Sequence, residues 1–158
     1  MQKVTPFLWF NDKAEEAVNF YTSTFKNATI KSTTRYNAES AKASGQKEGA
    51  VMTIAFNLNG QDFTAINGGP IFKFTEAISF VVNCETQEEV DYFWEKLTAG
   101  GGQESMCGWL KDKYGLSWQI VPKQLIELLQ DKDPGKAKRV MHAMLQMKKI
   151  DIKTLEKA

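Results

Sequence analysis

Hydrophobic and polar positions alternate in short blocks along this chain, and the blocks recur in the same order twice. Residues 5–10 (TPFLWF) are apolar and aromatic and read as a short buried strand that Asn11 and Asp12 end. Asp12 with Glu15 makes a capping-box pattern, and Ala14, Ala17, Val18, Tyr21 and Phe25 then recur at helical spacing, so a helix of about three turns is expected. Residues 28–36 are rich in β-branched side chains and read as a strand. Residues 37–48 are polar, without apolar periodicity, and read as a mobile loop whose only functional reading is a lid. Residues 50–58 alternate cleanly: Met52, Ile54, Phe56 and Leu58 share the face that packs on helices, and Val51, Thr53, Ala55 and Asn57 share the other. After an Asn59-Gly60 turn, residues 62–67 complete the unit, and Gly68-Gly69-Pro70 breaks the chain.

The order then restarts. Residues 77–83 (AISFVVN) repeat the short strand ended by Asn; Thr86 and Glu89 repeat the capping box; Val90, Phe93, Trp94 and Leu97 repeat the apolar helical face. A shift of 72 positions superposes Asn11 on Asn83, Val18 on Val90, Tyr21 on Phe93 and Phe25 on Leu97. Gly100 to Gly102 stops the helix, residues 103–105 read as a short edge strand, and CGWLKDKYGLSWQIVP at 107–122 reads as a hairpin turning about Tyr114-Gly115. Beyond Pro122 the pattern is helical. Leu125, Ile126, Leu128 and Leu129 form one short helix. Asp133 caps and Pro134 opens a second, carrying Ala137, Val140, Met141, Met144 and Leu145, and Asp151 caps a last turn or two with Ile150 and Leu155 as a hydrophobic staple. The expected fold is therefore α+β: two tandem βαβββ modules, 1–70 and 77–122, within one domain, and a helical extension of that domain over 123–158.

Composition adds constraints. At 158 residues the chain can bury a stable core without disulfide staples. Two cysteines, no apolar run of membrane-spanning length and no signal-like N-terminus point to a cytoplasmic protein without a membrane partner. Residues 1–122 carry 11 Lys/Arg against 14 Asp/Glu and residues 123–158 carry 9 against 5, so the extension holds the excess of positive charge. Solvated Lys on amphipathic helices accounts for that excess, and no aromatic-basic strand pattern accompanies it, so no nucleic-acid partner is expected.

Two βαβββ modules in series are the organisation of the vicinal oxygen chelate (glyoxalase/bleomycin resistance/dioxygenase) superfamily, which this sequence resembles over residues 1 to about 122. It is most similar to the PhnB-like subgroup, often labelled demethylubiquinone methyltransferase. The resemblance rests on TPFLWFNDKAEEAVNFYTSTF at 5–25, ISFVVNCETQEEVDYFWEKLTAGG at 78–101 and CGWLKDKYGLSWQIVP at 107–122, with RVMHAMLQMKKIDI at 139–152 in the extension. It implies modules curled into a cupped sheet around a ligand, helices on the convex side, and a homodimer.

Strand parity nominates the cup-facing residues. If Leu116, Trp118 and Ile120 pack on helices, then Ser117, Gln119 and Val121 face the cup, together with Thr5, Phe7, Trp9, Thr53, Ala55, Asn57, Thr64, Ile66, Ala77, Ser79, Val81, Trp109 and Lys111. In metal-using members of the superfamily, His and Glu ligands come from the first and last strands of each module. The matching positions here hold Gln119 and Thr64 on the last strands, with Thr5 or Phe7 and Ala77 or Ser79 on the first. Neutral amides and hydroxyls are poor ligands for zinc, iron or manganese, and the one histidine, His142, lies in the extension, so no metal site and no cofactor is expected. A methyltransferase of the common S-adenosylmethionine kind carries a Gly-rich turn from its first strand into a helix, and Phe10-Asn11-Asp12-Lys13 has no glycine. Cys107 and Cys84 read as packing residues, with no neighbouring His to activate either thiol.

The favoured function is metal-free binding of a small organic molecule, with Phe7, Trp9 and Trp109 stacking on it and Thr64, Ser79 and Gln119 supplying hydrogen bonds. The alternative is an enzyme of the superfamily: a metal-dependent lyase or dioxygenase, or the methyltransferase acting on demethylubiquinone that the subgroup label names. A third class places function in the basic extension as an assembly surface.

Overall fold

Residues 2–158 are described in the structure, a computed structural model, and they divide into two units, 2–74 and 75–158. The first unit runs β1 (Phe7–Phe10), α1 (Ala14–Thr24), β2 (Ala28–Arg35), α2 (Ala38–Ser44), β3 (Val51–Leu58) and β4 (Gln61–Asn67). Its sheet has the order β1-β4-β3-β2, with β1 parallel to β4 and the other pairs antiparallel. The second unit runs β5 (Phe80–Cys84), α3 (Gln87–Thr98), β6 (Gln103–Glu104), β7 (Trp109–Lys111) and β8 (Ser117–Pro122), then α4 (Lys123–Leu129), α5 (Pro134–Leu145) and α6 (Ile152–Glu156). Its sheet order, β5-β8-β7-β6 with β5 parallel to β8, repeats the first. The fold is α+β, two four-stranded mixed sheets built in series, with a helical C-terminal part.

Parity divides each sheet as the alternation predicts. In the first unit Leu8, Phe10, Ile54, Phe56, Phe63 and Ala65 are buried beside Ala14, Ala17, Val18 and Tyr21 of α1. The Phe56 and Phe63 rings stack across β3 and β4 with centroids 5.3 Å apart. In the second, Val82, Leu110, Trp118 and Ile120 are buried with Val90, Trp94 and Leu97 of α3. Tyr21 is fully buried whereas its repeat partner Phe93 is half-buried, and Phe25 is half-buried where Leu97 is buried, so the 72-residue repeat preserves element order better than individual contacts.

Several local expectations are corrected. α1 begins after Lys13, and no side chain caps it from within; the Ala14 amide donates instead to Asn67 Oδ1 at the far end of β4 (2.8 Å). Asp12 and Glu15 form no capping box because a tertiary acceptor already serves the helix start. The Asn67 amide also donates to the Val51 carbonyl, and the Asn67 carbonyl accepts from the buried Tyr36 hydroxyl (2.6 Å), so one asparagine ties α1, β3 and the end of β2 together. The expected mobile loop at 37–48 contains α2, fixed by a reciprocal Asn37/Ser40 capping box, a left-handed Gly45 at its end and the buried Ala41. Two turns of helix need only one apolar anchor, too few to register as periodicity. The second capping box is half formed: Thr86 Oγ1 accepts from the Glu89 amide, but the Glu89 carboxylate accepts from the Glu85 amide. Thr5, Ala77 and Ser79 lie outside the strands, because β1 begins at Phe7 and β5 at Phe80.

The two hairpins also differ. The first turns tightly on Asn59 and Gly60, both at positive φ (48° and 93°). The second closes over residues 112–116 around Asp112, which is 3% exposed. Its carboxylate accepts from the Tyr114 amide (2.8 Å), the Leu116 amide (3.1 Å) and the Trp118 indole N–H (2.9 Å).

The helical extension is seated on the end of β8, within the second unit. Val121, Leu125, Val140, Ile150 and Leu155 form its buried cluster, with Leu128, Leu129, Met144 and Met147 packed around it, while Met141 and Leu145 of the same apolar stripe are exposed. Val121, expected to face a cup, is buried in this cluster. The Cys107 and Gly108 amides donate to the Met147 and Lys148 carbonyls (2.7 and 2.8 Å). The Gln87 amide donates to the Ile150 carbonyl (3.0 Å) and accepts from the Ile152 amide (2.8 Å). Among the described residues no helix is long and apolar enough to cross a membrane.

Asp112→Ala leaves three donors at a buried turn without their acceptor, so it is expected to cost about 3 kcal/mol or more. Asp112→Asn keeps one oxygen for the backbone amides but can set an N–H against the Trp118 N–H, at about 1–3 kcal/mol. Urea unfolding followed by tryptophan fluorescence measures both losses, and a wild-type midpoint in Asp112→Ala would remove Asp112 from its structural role.

Candidate functional site

Each sheet buries one face on α1 or α3 and leaves the other free of those helices, although the extension covers Val121 at one end of the second, and the six residues nominated from parity lie on or beside these helix-free faces. They fall into two groups, one in each unit. In the first unit β1 and β4 pair Phe7 with Thr64 and Trp9 with Ile66, and β3 pairs Ala55 with Thr64, which places Phe7, Trp9, Thr64, Ile66 and Ala55 on one face. Phe7 is 59% exposed, and Trp9 and Thr64 are half-buried.

Trp9 is fixed by its surroundings. Its indole N–H donates to the Gly69 carbonyl (2.9 Å), and its ring meets Phe72 edge-on with centroids 5.0 Å apart. Gly68 makes this possible: a Cβ there would stand 2.2 Å from Trp9 Cζ2. The Gly68-Gly69 pair, legible in the sequence only as a chain break, thus gives the indole its seat. At the hairpin end of the same face, Asp62 accepts from Lys31 Nζ and Asn57 Nδ2, both at 2.6 Å. The Lys31 ammonium, then the Asn57 amide, holds the Asp62 carboxyl below its ordinary range.

In the second unit β7 and β8 pair Trp109 with Gln119 and Lys111 with Ser117, so all four side chains share the helix-free face. Gln119 Nε2 donates to Ser79 Oγ (2.9 Å), joining β8 to the segment that leads into β5. Lys111 is ion-paired with Glu76, and that hydrogen bond holds the Glu76 carboxyl below its ordinary range. Ser117 is 1% exposed, and its hydroxyl has no hydrogen-bond partner among the described residues. Parity found Ser117, but its burial depends on neighbours that one strand's pattern does not reveal. Glu76 went unremarked in the sequence because it precedes the strand and pairs across to β7.

The cysteines divide by burial. Burial pushes the Cys84 thiol up to about 12, with the Glu89 charge adding to the effect, so this thiol stays protonated. Cys107 is half-buried and sits at φ 60° in the turn that holds the extension. Exposed His142 lies on α5 beside Lys138 and Arg139, away from the residues above in sequence and element.

The superfamily's ligand positions hold Gln119 and Thr64 on the last strands and Thr5 or Phe7 and Ala77 or Ser79 at the first, a neutral and partly apolar set that does not fit a divalent metal seeking imidazole and carboxylate. Among the described residues no three His, Cys, Asp or Glu side chains gather into a metal-holding group. The two strand-to-helix turns, 11–13 and 85–86, contain no glycine and so lack the usual backbone cradle for a nucleotide-like cofactor.

Comparison with known proteins adds the following. The family model described as 3-demethylubiquinone-9 3-methyltransferase matches residues 2–121. A Bacillus cereus PhnB protein, to which the same methyltransferase name is attached, is 44% identical over 77% of this chain and 99% of its own, with a TM-score of 0.67. Protein PA1353 of Pseudomonas aeruginosa is 17% identical over 77% and 98% of the two chains, with a TM-score of 0.60. The fosfomycin resistance protein FosX of Listeria monocytogenes, solved with manganese and a phosphonic acid, is 15% identical over 76% and 92%, with a TM-score of 0.52. These last two share the fold. No curated protein matches the chain.

Gly68→Ala is expected to displace the Trp9 ring and cost about 1–3 kcal/mol. In nitrogen–proton NMR spectra the Trp9 indole signal should move while those of Trp94 and Trp118, held by Glu104 and Asp112, stay in place. For the thiols, an alkylating reagent at pH 8 should modify Cys107 in the folded protein and reach Cys84 only on denaturation, as mass spectrometry of the two peptides would report.

Proposed function

The chain belongs to the PhnB-like 3-demethylubiquinone-9 3-methyltransferase family of the vicinal oxygen chelate (glyoxalase) superfamily, and from that premise we propose that it binds a small organic molecule without a metal. In this reading Phe7, Trp9 and Trp109 offer ring surfaces, and Thr64, Ser79 and Gln119 offer hydrogen bonds. The observation that carries it is Trp109. The indole N–H groups of Trp9, Trp94 and Trp118 donate to Gly69, Glu104 and Asp112, whereas that of Trp109 has no partner among the described residues. A half-buried indole with an unused donor, next to the Gln119–Ser79 pair, is suited to receive a ring that carries polar substituents.

The helix-free faces also support a homodimer. Phe7 and Val81 on the strands, and Ile71, Phe72 and Ile78 in the segment between β4 and β5, leave between 49% and 76% of their surface open, apolar area of the kind that marks an interaction surface. Methyl transfer to a demethylubiquinone-like ring rests on the family's name alone, because neither strand-to-helix turn offers the glycine-rich cradle.

Trp109→Ala and Gln119→Leu test the ligand face. Against a panel of small aromatic molecules screened by thermal shift and titrated by calorimetry, each variant should weaken binding about ten-fold or more, roughly the worth of one lost ring contact or hydrogen bond in a partly closed site. Unchanged affinity in both variants would locate the site elsewhere, and stoichiometric metal in protein purified without chelator would overturn the metal-free reading.

A further inference from the structure

The ligand-facing groups of the second unit are unequal in hydrogen-bonding sense, and the imbalance specifies what they bind. Trp109 has an indole N–H and no acceptor for it among the described residues. Ser79 Oγ accepts from Gln119, which leaves its own proton free to donate. Ser117 is 1% exposed and its Oγ has no partner among the described residues, and a hydroxyl so placed costs about 1–3 kcal/mol unless something supplies the missing bond. Lys111, which pairs with Ser117 across β7 and β8, carries a full positive charge on the same face. The Ser79 and Ser117 hydroxyls can accept as well as donate and Gln119 Oε1 only accepts, whereas the Trp109 indole and the Lys111 ammonium can only donate, and Lys111 is the one full charge among them. A cation and an indole N–H that cannot accept, beside hydroxyls free to turn their protons outward and a free ring, match a planar group whose polar atoms accept and which carries negative charge.

Glu76 strengthens the argument. It lies in the segment before β5, its side chain is 58% exposed, and its carboxylate already engages Lys111. Lys111 is thus held by a solvent-accessible carboxylate, the chemistry a ligand would have to bring in order to replace it.

We propose that the helix-free face of the second unit binds a planar ring bearing a carboxylate, the ring on Trp109, the carboxylate on Lys111 and the Ser79 and Ser117 hydroxyls, with Glu76 displaced as the ligand enters. This rests on the ligand-binding reading above and adds the charge and class of the ligand. The same donors would accept an ionised ring hydroxyl, and the probe set separates the two.

The experiment uses the full chain and three probes of one ring system: 2-naphthoate, 2-naphthol and the neutral 2-naphthamide. Binding is read from the Trp109 indole signal in nitrogen–proton NMR, assigned with Trp109→Phe. Naphthoate is expected to bind about ten-fold more tightly than naphthamide, the worth of one charge-assisted hydrogen bond. Lys111→Met should remove that preference, Lys111→Arg should keep most of it, and Ser117→Ala should weaken naphthoate about three-fold or more. The sharpest arm is Glu76→Gln: by removing the resident carboxylate it should tighten naphthoate about three- to ten-fold and leave naphthamide unchanged. Equal binding of naphthoate and naphthamide, both shifting Trp109, overturns the carboxylate inference while the ligand-binding reading stands. Tighter binding of naphthol than of naphthoate replaces carboxylate with ring hydroxyl and overturns the stated class. If no probe moves the Trp109 signal at millimolar concentration, both readings fall.

Discussion

The second unit depends on a carboxylate placed where carboxylates are costly. Asp112 sits almost wholly buried at the start of a five-residue turn and is tolerated there because two backbone amides and the Trp118 indole donate to it. The arrangement sets the length of the turn and the register of β7 against β8. Register decides parity: a slip of one residue would exchange Trp109 and Gln119 for Leu110 and Trp118 on the helix-free face. The chemistry of the helix-free face is therefore specified from the opposite side of the sheet, by a residue that faces the core.

The first unit solves the same problem with a neutral side chain. Asn67 ends β4 and uses its amide oxygen, amide nitrogen and backbone carbonyl on α1, β3 and Tyr36. A tight Asn59-Gly60 turn already fixes the register of β3 and β4, so no buried charge is needed there. Two units with the same strand order thus reach it by different polar devices, one at a hairpin turn and one at a strand end. That difference explains why the repeat is clear in element order and faint in residues.

What could be read from the sequence follows the range of the interaction. Alternation over 53–58 gave both faces of β3, because strand parity is local and the residues of each face are two apart, while Val51 is buried and Met52 only half-buried, against the expected parity. The same logic assigns Phe7, Trp9, Thr64, Trp109 and Gln119 to the faces on which the strand register places them, and Ser79 lies just outside its strand. Val121 was misplaced because its cover comes from helices that follow it, and α2 was missed because Ala41 is its single buried anchor. Asp112 was overlooked although an Asp three residues before a turn glycine is a recognisable loop former; its indole partner six residues on lies across the turn, where strand parity is interrupted. The clamp at Gln87 has no local signal, since its partners lie more than 60 residues away.

That clamp, with the Cys107 and Gly108 amides, determines what the helical extension is in energetic terms. The residues matched by the family model end at 121, yet Ile150 and Leu155 complete a core that begins with Val121 in β8 itself. Detaching the extension would strand two amide donors at the mouth of β7, empty the seat beside Gly108 and expose the last residues of β8. The segment lying outside the shared family region is thus welded to the hairpin that carries Trp109 and Gln119. Its removal would act on that hairpin as a solvent exposure of the strand ends, and a lost activity in such a truncation would report a loosened sheet before it reported a missing functional surface.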